Sequence, residues 1–140
     1  MTAVTTSAEA RQASRPHRRR NSLLWVVQIL LAVFFVFAAV PKLAGAQSSV
    51  ATFAQIGAGQ WLRYLVGTAE LAGAAGLLIP RLAGLAAAGL AADMAGATII
   101  NIGVLHSAAA AMTVPLCAVF SLVAWARWEQ TRSLTSAIRQ

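Results

Sequence analysis

Apolar residues gather along this chain in long blocks rather than alternating with polar ones. Four blocks approach the ~20 residues that a helix needs to cross a hydrocarbon core about 30 Å thick. The first runs from about Leu23 to Val40 and stops at Pro41-Lys42, and the second runs from about Trp61 to Ile79 and stops at Pro80-Arg81. The third follows almost at once, from about Leu82 to Leu105, and the fourth covers about Ala109 to Trp128. Between the first two lies Leu43 to Gln60, rich in Ser, Gly and Gln, which reads as an external loop with one short interfacial helix. The other connections are short, and short connections make neighbouring helices antiparallel. The pattern therefore predicts an all-α fold, a polytopic transmembrane four-helix bundle of up-down-up-down topology over residues 22–128. Residues 1–21, a run of Ala, Ser, Thr and Arg without periodicity, are expected to form a mobile basic tail. Residues 129–140 are expected to form a second, C-terminal tail.

Composition supports the membrane reading. Of 140 residues, 59% are hydrophobic and only 11% charged, against roughly a quarter charged in soluble domains. Mean hydropathy is +0.69. The net charge of +7 would suggest nucleic acid in a soluble chain, but its distribution points to topology instead. Arg11, Arg15, Arg18, Arg19, Arg20, Arg81, Arg127, Arg132 and Arg139 would share one side of the membrane, leaving Lys42 and Arg63 on the other. Basic residues in short loops stay cytoplasmic, so both termini are expected inside, in a multi-pass protein of the cell (plasma) membrane. Interfacial aromatics agree: Trp25, Trp125 and Trp128 fall at the inner boundary, Trp61 and Tyr64 at the outer one. Arg18-Arg19-Arg20, the apolar run and Ala44-Gly45-Ala46 imitate a signal peptide, but a run of about 18 residues exceeds the usual h-region of about 7–15. The Arg cluster is expected to hold topology and to touch anionic lipid, at about 1 kcal/mol per basic residue, with no nucleic-acid role.

A charge at the centre of a spanning helix costs about 2.5–3.5 kcal/mol on insertion scales, which makes each ionisable residue there a functional candidate. Glu70 and Asp93 qualify, at depths of roughly 13 and 18 Å when counted from the outer boundary at 1.5 Å per residue. Gly67, Glu70, Gly73 and Ala74 share one helical face, as do Gly89, Asp93, Gly96 and Ile100. Membrane helices pack closely through such small residues, so Gly67, Gly73, Gly89 and Gly96 are expected packing positions and both acids are expected to look inward. Two carboxylates meeting in a dry interior would not comfortably both stay ionised. The plainer reading is that each acid hydrogen-bonds across the bundle and fixes helix register, worth about 1 kcal/mol.

Lys42, Arg63, Asn101 and His106 stand nearer the outer side, and Gln28 lies in the inner half of the first helix. Gln28 and Lys42 share a face if the helix continues through Pro41, and Arg63 and Glu70, seven apart, also share one. Long basic side chains at helix ends commonly snorkel to the headgroups. The functional alternative is a polar pocket opening outward, with Glu70 at its floor and Lys42, Arg63, Asn101 and His106 at its mouth. Cys117 reads as a small core residue. No cysteine and histidine spacing suits a metal, so no metal site and no intrinsic cofactor is expected.

The run Phe34-Phe35-Val36-Phe37-Ala38-Ala39-Val40-Pro41-Lys42-Leu43 resembles the first-helix signature of the DoxX-like family. Phe53-Ala54-Gln55-Ile56-Gly57, Trp61-Leu62-Arg63-Tyr64 and Gly67 through Pro80 are similar to that family's loop and second helix, and the resemblance spans about Leu24 to Trp125. It implies a small four-helix integral membrane protein of a family named through a subunit of an archaeal thiosulfate:quinone oxidoreductase, with relatives linked to oxidative and thiosulfate stress. It singles out Lys42, Glu70 and the glycines around Glu70. Asp93 is not part of the family's pattern, and Asn101 stands about where relatives often carry His.

Three functions fit these residues. In the first, an accessory subunit of a membrane redox system takes a quinone or another lipophilic carrier, with Glu70, and Asp93 as a second candidate, exchanging protons. In the second, a non-catalytic anchor or assembly factor docks peripheral redox enzymes and uses its glycine faces for packing or homo-oligomer contacts. The third is a small proton-coupled transporter, a class that usually shows repeats or broken helices. In all three the lipid bilayer is the principal partner.

Overall fold

The computed structural model describes residues 3–138, with side chains described for residues 21–128 and Arg132. Every regular element in it is helical. In chain order these are α1 (Ala3–Ala44), α2 (Gln47–Ile56), α3 (Gln60–Leu77), α4 (Ala83–Gly103) and α5 (Ala110–Ile138). Apart from Asn21 and Arg132, the expected tails over 1–21 and 129–140 lie outside the residues with described side chains. Three stretches are long and apolar enough to cross a membrane: Asn21–Ala44, Ala83–Gly103 and Ala110–Trp128. The 18 residues of α3 include Arg63, Glu70 and several Gly and Ala, which dilute its hydropathy even though Leu65 and Leu71 face outward.

The first helix runs further than its apolar pattern predicts, continuing through Pro41 to Ala44. A proline so near a helix end withholds a single N–H from the last turn. The helix then stops because Gly45 takes φ 75°, the left-handed conformation that glycine adopts without a Cβ clash. Gly45 N donates to Lys42 O and Ala46 N donates to Pro41 O at 2.9 Å, the paired bonds of a Schellman ending. The short helix expected in the following loop is α2, tied down by buried Phe53 and by Gln60 Nε2 donating to Val50 O.

Each long helix contributes one stripe at three- and four-residue spacing to a shared core. From α1 come Leu31, Ala32 and Phe35, from α3 Ala74 and Leu77, from α4 Ala87, Leu90 and Met94, and from α5 Phe120 and Val123. Phe35 meets Phe120 edge-on, with ring centroids 5.1 Å apart. Helices α1 and α3 run antiparallel, since Gln28 bonds Leu77 O at one end and Lys42 bonds Glu70 toward the other. Close approach sets the α3–α4 seam: a Cβ on Gly73 would stand 2.7 Å from Leu90 side-chain atoms, and one on Gly76 2.8 Å from Ala86 Cβ. Helices α4 and α5 are stitched by Thr98–Thr113 hydroxyls 2.7 Å apart and by Cys117 Sγ donating to Ala91 O. The opposite sides of these helices present bare apolar surface, Phe37 and Ile99 being 74% and 71% exposed. Such a surface has no partner in water, and hydrocarbon is the environment that suits it.

Candidate functional site: a buried lysine–glutamate pair

Four polar side chains, Gln28, Lys42, Arg63 and Glu70, stand in the interior between α1 and α3. On α1, Gln28, Leu31, Ala32, Phe35, Ala39 and Lys42 follow one helical stripe, and on α3 Arg63, Gly67, Glu70, Ala74 and Leu77 follow another. Packing the two stripes together brings Lys42 onto Glu70. Lys42 Nζ donates to both carboxylate oxygens, at 3.0 and 2.8 Å, and to Ala38 O at 3.1 Å. All three ammonium hydrogens are thereby used. The Glu70 side chain is 3% exposed and that of Lys42 21%, so the pair sits at the edge of the core with the lysine toward the opening. Gly67 makes the approach feasible, because a Cβ there would press on Leu43 and Lys42 at 3.1–3.2 Å.

Arg63 does not snorkel. It is buried and spans from α3 to the end of α1, where Nη1 donates to Lys42 O while Nε donates to Gln60 Oε1 at 2.8 Å. Its guanidinium also lies over the Tyr64 ring, 4.2 Å from the centroid. A cation on the last carbonyls of a helix meets the negative end of its macrodipole, which is why this arginine serves as the cap of α1. Arg63, Lys42 and Glu70 thus form one connected cluster, Arg63 joining through the Lys42 carbonyl.

The other candidates share no hydrogen bond with it. Asp93 is half-buried on α4, with Oδ2 enclosed and without a hydrogen-bond partner among the described residues. The two acids share no hydrogen bond there: Glu70 is taken up by a cation, an arrangement far less costly than two facing carboxylates. Asn101 is half-buried near the end of α4 and His106 is exposed in the turn before α5 at φ 46°. Neither side chain bonds to Lys42, Arg63 or Glu70. Of the four glycines expected at packing positions, Gly67 and Gly73 face side chains at contact distance, whereas a Cβ on Gly89 or Gly96 would meet nothing within 4 Å. Among the described residues no group of His, Cys, Asp and Glu could hold a metal ion.

A second polar cluster closes the opposite end of the bundle. Gln28 Nε2 donates to Leu77 O at 2.8 Å, and Gln28 Oε1 accepts from Arg127 Nε at 3.0 Å and Nη2 at 2.7 Å. Arg127 Nη1 donates to Asn21 Oδ1 at 2.8 Å. Arg127 is 2% exposed and Gln28 is fully buried. Counting arginines for topology overlooks this role for Arg127. The signal that reveals it is spacing, since Phe120, Val123 and Arg127 fall on one stripe of α5.

Long apolar helices, an interior that pairs Lys42 with Glu70 and Arg127 with Gln28, and an apolar exterior define a small helical membrane protein. The chain belongs to the DoxX-like family, whose model matches residues 26–126. No curated protein and no solved structure matches it.

Proposed function

We propose that the chain is a four-span, up-down-up-down bundle of the cell membrane, with both termini cytoplasmic, serving as an accessory subunit of a membrane redox system. Helix α3 is its second span: 18 residues rise about 27 Å, close to the core thickness. The observation that carries the redox reading is the Lys42–Glu70 pair beside an apolar slot between the same two helices. Ile29, Val33, Phe37, Leu71 and Leu78 line that slot, which has a volume of about 370 Å³. Leu71, the residue after Glu70, is on its wall, and neither Glu70 nor Lys42 lines it. A quinone needs a dry recess for its ring and tail and a group that exchanges protons near its oxygens. Glu70 is that group, with Lys42 holding it in place, and the carrier supplies the electrons.

The test is to purify the protein from its native membrane and to identify what accompanies it. A quinone or a peripheral redox enzyme in stoichiometric amount supports the reading, and neither in an intact preparation contradicts it. An anchoring role is the second reading, favoured by the Arg127–Gln28–Asn21 lock, which ties the first and last long helices together. Under that reading Glu70→Gln, compared at equal amounts of folded protein in the membrane, leaves partner pull-down and phenotype unchanged, whereas the redox reading requires the phenotype to be lost.

A further inference from the structure

A groove of about 590 Å³ runs between α1 and α5 at the end of the bundle that the Arg127 cluster closes. Its volume falls inside the small-molecule range of about 300–1,000 Å³. Leu24 and Val27 form the α1 wall, and Val119, Leu122 and Ala126 form the α5 wall. Trp125, Trp128 and Arg132 continue the lining along α5, and all three are exposed. Arg127 stands on the same helix but turns into the bundle, onto Gln28 and Asn21. The positive charge that lines the groove is therefore that of Arg132. The sequence adds charge near the same end, since Arg18-Arg19-Arg20 precede Leu24 by four to six positions.

The spacing along α5 matches one leaflet. From Val119 to Trp128 the helix rises about 14 Å at 1.5 Å per residue, close to half of a hydrocarbon core about 30 Å thick. Tryptophan favours the headgroup level. Arg132 stands one turn beyond Trp128, about 6 Å further, within the headgroup layer that adds about 5–7 Å to each face. Apolar walls, aromatic rings and a guanidinium thus follow one another in the order in which a phospholipid presents acyl chain, glycerol and phosphate. We propose that the α1–α5 groove holds one anionic phospholipid, with its phosphate on Arg132 and an acyl chain along Leu24, Val27 and Leu122. A guanidinium meets phosphate through paired N–H bonds, and basic pockets between spanning helices suit anionic headgroups. Phosphatidylcholine carries its own cation beside the phosphate, so net charge selects the anionic lipid. A second copy of the chain fits poorly, because a twofold axis along the membrane normal would bring its Arg132 to the same level, like charge against like.

The experiment titrates the full chain in detergent with equimolar dioleoylphosphatidylglycerol and dioleoylphosphatidylcholine and counts bound lipids by native mass spectrometry. Identical acyl chains leave the headgroup as the difference between the two. The expected result is one phosphatidylglycerol retained per chain in preference to phosphatidylcholine. That preference should fall by about 10-fold in Arg132→Gln through loss of a charge-assisted hydrogen bond. Arg81→Gln removes the same charge from another exposed site and is expected to leave the preference unchanged. Ala126→Leu, which adds bulk to the groove wall, is expected to weaken retention of the first lipid; if it fails to fold, the exposed Arg132 carries the test. Excess glycerol 1-phosphate, a headgroup without chains, is expected to leave the lipid bound. Equal retention of the two lipids, an unchanged preference in Arg132→Gln, or an equal fall in Arg81→Gln overturns the proposal. Unchanged retention in folded Ala126→Leu or displacement by glycerol 1-phosphate also overturns it. So does a lipid-free dimer that Ala126→Leu splits, which would assign the groove to a second copy.

Discussion

At the residue scale, the account rests on charges that neutralise one another inside a medium that cannot solvate them. Removing one partner of a buried ion pair strands the other, whereas replacing both with apolar groups leaves nothing stranded. Glu70→Gln and Lys42→Met are each expected to destabilise the detergent-solubilised protein by about 2–4 kcal/mol. The double variant Lys42→Met/Glu70→Leu is expected to lose less than the sum, and unfolding curves for the four proteins give the coupling directly. Arg127 is a second test of the same logic. Its fork reaches Gln28 twice and Asn21 once, a geometry that a lysine cannot reproduce. Arg127→Lys should lower stability by about 1–2 kcal/mol, while Arg81→Lys, at an exposed site, should change it by less than about 0.5 kcal/mol. Sequence spacing makes Glu70, Lys42 and Arg63 legible as groups on shared faces. It does not reveal their bonds, because pairing depends on how far α3 slides along α1. The register brings the α1 cation onto Glu70, so the two acids do not share a hydrogen bond.

At the element scale, glycines differ in what stands over them. Gly73 receives Leu90 of α4 at a distance that a Cβ would reduce to 2.7 Å. Gly73→Ala is therefore expected to splay α3 from α4 and to destabilise by about 1–3 kcal/mol, the usual penalty of overpacking. Gly89→Ala meets open space and gains helix propensity, so its unfolding midpoint should stay level or rise slightly. The two glycines look alike in the sequence, each flanking an acid on a small-residue face. Only the register of α3 against α4 separates them. The end of α3 was legible to within a few residues from Pro80, whereas Pro41 misled, because a proline in a final turn reads like a stop but permits three further residues before Gly45 ends the helix. The asymmetry of the caps is also hidden in sequence: Arg63 closes α1 from α3, and Gln28 closes α3 from α1, each across a distance of many residues.

At the scale of the whole molecule, the hydrophobic blocks convey the all-helical class, and the bonds that cross between helices give the order in which they pack. The proposed topology has a direct check in single-cysteine variants of a Cys117→Ala background. Ser48→Cys, near the start of α2, is expected to react with a membrane-impermeant maleimide on intact cells. Arg132→Cys, beyond the fourth span, is expected to react only after permeabilisation, and the reverse pattern would invert the orientation. What composition could not convey is function, because the polar groups that this chain buries are few and their pairing depends on how the helices pack. The redox reading is tested most directly by thermal unfolding in nanodiscs with increasing short-chain quinone, for the wild type and Glu70→Gln. A bound carrier predicts a saturable rise in the Tm of the wild type, equivalent to about 2.7 kcal/mol at a hundredfold excess over Kd, and a much smaller rise in Glu70→Gln. A wild-type Tm that does not move with quinone, or one that moves equally in Glu70→Gln, would contradict it.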